Sequence, residues 1–309
     1  MAVSNVYTLS HFLVDRASDL VVGGIQSCNV DGGVAETILS GDGSAYPTFA
    51  GIGEIAPIVD FTTTQLATVL AEGSDTFAVA GLKLSATAIG KCWLQKMSEG
   101  AVRAGGATSV LMAINEGLLI PTGITAQGNT PATIDCRAVC TYDGSNVPLT
   151  VTDSATMSGT PTVGHAYYRG PVEINGSAID GIQGIAYDPG LRLVVKGDDL
   201  YPSFVSIYEV IPRFTFTPAD AGVLYDYGFT GTPQNATDSL VYFRKGSEGG
   251  TRTADATEEH IKFTIDEGMI WTASVAGTHG QPSVPTLILQ PTYDGDNAIV
   301  VVDTTSAIA

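Results

Sequence analysis

Tyr46-Pro47-Thr48-Phe49, running on through Ile52, Glu54, Pro57, Phe61 and Thr62, returns as Tyr201-Pro202-Ser203-Phe204, running on through Ile207, Glu209, Pro212, Phe216 and Thr217. Tyr46 and Tyr201, like Thr62 and Thr217, stand 155 positions apart, so the two stretches align without a gap. The matched residues include aromatics, prolines and a glutamate in fixed order, which chance explains poorly.

The match extends outward on both sides. Gly24-Ile25-Gln26 answers Gly181-Ile182-Gln183. Lys96, Ser98, Glu99, Gly100 and Arg103 answer Lys245, Ser247, Glu248, Gly249 and Arg252. Thr141-Tyr142-Asp143-Gly144 and Asn146 answer Thr292-Tyr293-Asp294-Gly295 and Asn297. A repeat of this length is the size of a whole domain, not of a solenoid unit. The expectation is two tandem copies of one domain, residues 1–160 and 161–309.

The 309 residues suffice for two cores. Charged residues make up 15%, against about 25% in a typical soluble protein. Mean hydropathy is +0.20, yet the uncharged run 117–134 is rich in Thr, Gly, Pro and Asn and unsuited to lipid. The start lacks the basic segment of a signal peptide. A chain this poor in charge is expected to hide surface by assembling with its own copies. The net charge of −18 argues against a surface that grips phosphates. Cys28, Cys92, Cys136 and Cys140 form no CxxC pair and read as buried thiols. Cys136 and Cys140, four apart in an expected strand, lie too far apart to bond.

Taken in order, 24–39 suggests a hairpin turning at Asp31-Gly32-Gly33. The run 52–61 suggests a strand interrupted by Pro57. One helix is expected after Thr62, with Thr62 as cap, Gln65 as capping-box partner, Phe61 and Leu66 as a staple and Gly73 as the stop. Its counterpart begins at Thr217, with Pro218 in the first turn. The runs 76–84, 92–97, 108–115 and 133–142 read as strands. Asp143-Gly144 and Asp294-Gly295 read as turns of hairpins. Residues 153–170, rich in Ser, Thr, Gly and Pro, read as a linker. The expected fold is all-β, a sandwich or barrel with one short helix per domain, in two copies.

Catalytic signals are missing. His11, His165, His260 and His279 do not stand at metal-ligand spacing, and there is no GxSxG, P-loop or GxGxxG in context. No catalytic, cofactor-binding or metal residue is assigned, and no enzyme activity is expected. Asp294-Gly295-Asp296-Asn297 lacks the rest of a calcium loop. The sequons at Asn175 and Asn235 read as chance, and Glu54 and Glu209 as equivalent structural positions. The Lys-x-Ser-Glu-Gly-x-x-Arg stretch places cations and an anion at a Gly-rich tip in both halves. Lys96, Glu99, Arg103, Lys245, Glu248 and Arg252 are therefore the candidate contacts between chains or rings.

In layout, with a small all-β domain, one helix after a Phe-Thr junction, an acidic balance and no active site, the chain resembles the tail tube proteins (major tail proteins) of long-tailed bacteriophages. It is similar in particular to the kind that carries the tube domain twice. The resemblance implies rings of β-domains around a lumen, stacked into a virion tail tube through which DNA is ejected. It also implies a homo-oligomer, here a trimeric ring with pseudo-sixfold symmetry, meeting a tape-measure protein and passing DNA without specific binding or contact with membrane. The alternative is a carbohydrate-binding or capsid-decorating β-sandwich, for which Tyr167, Tyr168, Tyr225 and Tyr227 would supply aromatics.

Overall fold

The computed structural model describes residues 6–41, 43, 45–97, 108–161, 165–197, 200–220, 222–227, 234–246, 251–277, 279 and 283–308. Strands dominate it, and the chain is all-β. β1 (Val6–Asp15) pairs with β2 (Leu20–Val22). β3 (Ile25–Asp31) then enters a second sheet. β4 (Val34–Leu39) and β5 (Phe49–Ile55) project from that sheet as a paired arm, and β6 (Ile58–Thr63) returns beside β3. Three short helical segments follow, α1 (Leu66–Leu70), α2 (Glu72–Asp75) and α3 (Phe77–Ala80). β7 (Leu82–Leu84), β8 (Ile89–Met97), β9 (Ser109–Ile114), β10 (Glu116–Gln127), β11 (Thr133–Thr141) and β12 (Leu149–Ala155) complete the first half.

The second half comprises β13 (Tyr167–Ile174), β14 (Ser177–Ala178), β15 (Ile182–Asp188), β16 (Leu191–Gly197), β17 (Pro202–Val210) and β18 (Arg213–Pro218). α4 (Val223–Asp226), β19 (Gln234–Lys245), β20 (His260–Ala276), β21 (Val284–Pro291) and β22 (Val301–Ser306) follow. Its pairings recur in the order of the first. β13 holds β14 and β19 as β1 holds β2 and β8. β15 pairs with β18 as β3 pairs with β6, with the register shifting between Ile182 and Gly184 as it does between Ile25 and Ser27. β20 meets β21 with a shift between Thr272 and Ser274, where β10 meets β11 with one between Pro121 and Gly123. Bulges at matching positions mean that strand register, not only strand count, recurs.

The halves share one hydrophobic core. In the first half the sheet β12-β9-β8-β1-β2 packs over the larger sheet, and Phe12 of β1 stacks on Phe61 of β6 with ring centroids 4.7 Å apart. In the second half the single long β20 serves where β9 and β10 are separate strands. There Tyr187, Phe214, Phe243 and Phe263 interlock. The Tyr187 hydroxyl donates to the carbonyl of Ala78, 3.2 Å away in α3, binding one half to the other.

Several expectations are corrected. Thr62 and Thr217 cap no helix; they lie in β6 and β18. Thr62 has strands on both sides, and its hydroxyl donates to Asp135 on β11. α1 starts after Gln65, whose own side chain makes no cap. Gln65 is buried instead, accepting a hydrogen bond from the Gly23 amide. The run 76–84 is helical at Phe77–Ala80 because Phe77 and Ala78 must point together into the core, and only Leu82–Leu84 is a strand. β3 and β4 form no hairpin: Asp31-Gly32-Gly33 turns the chain out of the sheet into the arm, and the expected strand 52–61 is divided between β5 and β6. β12 pairs with β9 and β22 with β20, so Asp143 and Asp294 do not close hairpins. Each aspartate instead accepts the amides two and three residues on and the side-chain amide of Asn146 or Asn297. These bonds favour the carboxylate and hold both aspartates below their usual range. β12 runs on to Ala155 and β13 begins at Tyr167, so strands enter the expected linker 153–170 from both ends.

Each arm leaves through one glycine. Gly33 has φ +56°, and a Cβ there would stand 1.9 Å from the carbonyl oxygen of Ala56; Gly190 has φ +58° and would stand 1.9 Å from that of Ile211. The amides of Ala56 and Ile211 donate back to the carbonyls of Gly33 and Gly190. Gly128, at φ +54° with open space around it, isolates the conformational part. Gly33→Ala and Gly190→Ala should each lose about 2 kcal/mol or more in urea denaturation, and Gly128→Ala only about 1 kcal/mol. Equal losses at all three would remove the close approach as the cause.

Candidate assembly surface

The sequence marks two polar tips. Lys96 and Lys245 occupy corresponding places at the ends of β8 and β19, opposite Tyr7 and Tyr167. Lys245 already has a partner in its own chain, its Nζ lying 3.0 Å from Glu259 Oε1. The guanidinium carbon of Arg252 lies 3.8 Å from the ring centroid of Tyr168. Glu99, Arg103 and Glu248 lie outside the described residues. The structure thus places Arg252 in an isolated bridge with Gly246, next to Lys245 at the end of β19, and gives each cation an intrachain role.

The more informative surface is one that sequence reading missed. β10 pairs with β15, so the large sheet passes without a break from the first half into the second. The joint matches Ile124 to Tyr187, Thr125 to Ala186, Ala126 to Ile185 and Gln127 to Gly184. Ile124, Ala126, Ile185 and Tyr187 are all buried there. The corresponding positions at the other ends are uncovered. β3, which matches β15, closes the path of the large sheet as its edge strand, with Ser27 and Asn29 exposed and Cys28 and Val30 half-buried. β20, which matches β10, ends with half-buried Val275 and exposed Ala276, followed by exposed Gly277, where β10 carries Ile124, Thr125 and Ala126. Thus one made joint is flanked by two halves of a second.

The arms repeat this asymmetry. The β16–β17 arm lies back across the first half. The Ile55 amide donates to the carbonyl of Leu200 and the Tyr142 amide to that of Pro202, 2.8 and 2.7 Å away. Tyr142 stacks on Tyr201 with ring centroids 5.8 Å apart. Pro202 is buried by this contact. On the β4–β5 arm Val34, Ile38, Leu39, Phe49 and Ile52 are exposed, and on the β16–β17 arm Val195, Phe204 and Tyr208 are.

The remaining candidates have structural roles. His11 is buried with Nε2 2.8 Å from the Ser158 carbonyl, and His260 accepts the Lys245 amide at Nδ1. Asn175 bonds to Asn235 and Thr237, so the two sequons brace one another. Glu209 pairs with Arg192 across its arm, whereas Glu54 faces Ala35. Tyr167 is buried, which pushes its hydroxyl up to about 12; Tyr168 lies under Arg252; and the side chain of Tyr225 lies outside the described residues. Burial pushes the Cys140 thiol up to about 12 and Cys136 higher still. Among the described residues, no group of three or more His, Cys, Asp or Glu could hold a metal ion. Among them also, no helix is long and apolar enough to cross a membrane. Compared with known proteins, the chain matches no family model and no curated protein.

The Lys245 ammonium holds the Glu259 carboxyl below its usual range. A depressed folded-state value means that the pair stabilises the fold above the ordinary glutamate range and stops doing so as pH falls through the folded value. Glu259→Gln should therefore melt below the native protein at pH 7, and the gap should narrow once pH falls below 4.5. A gap independent of pH would show that Lys245 does not depend on Glu259.

Proposed function

We propose that the chain is a structural protein with no enzymatic role. Its halves are copies of one domain, 1–160 and 161–309, and its copies join edge to edge into rings that stack as a virion tail tube. The single observation behind this is the β10–β15 joint beside its two exposed counterparts. Applying the register of that joint to the outer positions sets Val275 opposite Val30 and Ala276 opposite Asn29 of the next chain. An open strand edge is a hazard in a monomer, and closure around a ring removes it. Two domains per chain and about six around a lumen give three chains per ring. The polar tips at Lys96, Glu99, Arg103, Lys245, Glu248 and Arg252 then belong at contacts between chains or stacked rings. A tape-measure protein and DNA would occupy the lumen. The carbohydrate-binding alternative gains nothing from Tyr167 and Tyr168, which are buried or covered by Arg252.

Val275→Asp tests the joint. Burying an unpaired carboxylate where β10 buries Ile124 costs several kcal/mol in the assembly and little in the isolated chain. The variant should melt like the native protein and form no rings or tubes in negative-stain images, whereas the native protein should form three-chain rings by native mass spectrometry. Normal tubes from the variant, or native rings of six chains, would contradict the reading.

The lumen should be net negative. Three chains of −18 bring about −54 to each ring. DNA in a narrow tube lies within about one Debye length of the wall, roughly 8 Å, so wall charge is not fully screened. A basic wall would hold phosphates and slow passage. The potential along the inner wall of a reconstructed tube checks this; a positive wall would indicate a protein that grips nucleic acid.

A further inference from the structure

We infer that the arm tip around Tyr46-Pro47 docks on the turn at Thr292-Tyr293 of a second copy of this chain. The inference rests on the self-assembly proposed above, and it specifies a contact separate from the sheet joint.

Two motifs occur twice in the sequence, the Tyr-Pro of the arms and the Thr-Tyr-Asp-Gly that ends β11 and β21. Inside the chain, the second copy of the first motif meets the first copy of the second. Tyr201 stacks on Tyr142, and the Pro202 carbonyl accepts the Tyr142 amide. The outer copies, Tyr46-Pro47 and Thr292-Tyr293, have the same chemistry and the same local geometry. Both arms leave by the same glycine turn and carry a shift at the same place, between Ala35 and Glu36 and between Arg192 and Leu193. Both aspartate turns make the same set of hydrogen bonds. Yet Tyr46 is 78% exposed and Tyr293 64% exposed.

A surface that fits its complement within the chain and is displayed at both ends fits a head-to-tail neighbour. Repeating the internal contact places the Tyr46 ring on Tyr293 of the next chain, and the Pro47 carbonyl on the Tyr293 amide. It also sets Ala45 beside Val210, as Leu200 lies beside Ile55. Ile52, exposed on the first arm, would then take the half-buried place that Ile207 has on the second, while Phe49 stays exposed as Phe204 is. The occupant is a second copy, because no other partner need carry a Thr-Tyr-Asp-Gly turn at the end of a strand.

Photo-crosslinking tests this with the full chain. p-Benzoylphenylalanine is placed at position 46, heavy and light isotopic forms are mixed, and the assembled fraction is irradiated. The expected product is a heavy–light adduct mapping to the peptide that bears Tyr293; the same probe at position 201 should react within its own chain near Tyr142. Assemblies that crosslink elsewhere, or only within one chain, overturn the docking and leave the tube reading standing. The expected adduct in dimers or open fibres, without rings, supports the docking and contradicts the tube. A chain that stays monomeric, with no adduct, overturns both. Tyr46→Ala and Tyr293→Ala should each weaken self-association about threefold to tenfold, with the pair little worse than either alone. Unchanged association in both also overturns the docking.

Discussion

A strand at the edge of a sheet presents a row of backbone N–H and C=O groups that only another strand satisfies in full. The organisation of this protein follows from how it treats such edges. Within the chain, β10 closes the edge of β15, and the inward-facing residues at that seam, Ile124, Ala126, Ile185 and Tyr187, become core. Tyr187 shows the consequence: it sits in a strand of the second half, packs on Phe214 and Phe263, and donates to Ala78 in the first. The seam converts two sheets into one and two cores into one. The matching strands at the outer ends, β3 and the end of β20, carry exposed residues at the corresponding positions.

The arms add a second, longer-range connection. Each is a hairpin thrown out of the sheet by a glycine whose Cβ would collide with a carbonyl oxygen. The second arm uses its reach to cross the base of the first and stack on Tyr142. Proline 202 suits this place, since its missing N–H is no loss where its carbonyl is the group in use. A chain with few charges tolerates such apolar display if the exposed sites are complementary to one another.

Much of this was legible in the sequence, for a physical reason. Turns and close approaches demand particular residues, so Gly24 and Gly181 stand out as a pair and Asp31-Gly32-Gly33 as a turn; the structure adds that Asp188 and Gly190 repeat that turn. What the sequence hides is pairing. Thr62 and Thr217 satisfy the composition of a helix cap equally well, and only the strands on their flanks decide otherwise. Phe77 and Val79 favour strands by propensity, but tertiary burial overrides it. The β10–β15 seam joins residues about sixty positions apart in no recognisable pattern. The polar tips were conspicuous because cations are scarce, yet Lys245 and Arg252 proved to have uses within the chain.

Amide hydrogen exchange along β3, in dilute and in concentrated protein, bears most directly on whether the chain completes its sheet with another copy of itself. β6 already covers one side of β3. Outward-facing amides in 27–30 should exchange quickly in dilute protein. Upon self-association they should slow as far as those of 184–187 in β15. Association that leaves 27–30 fast, or protein that remains monomeric at high concentration, would contradict it.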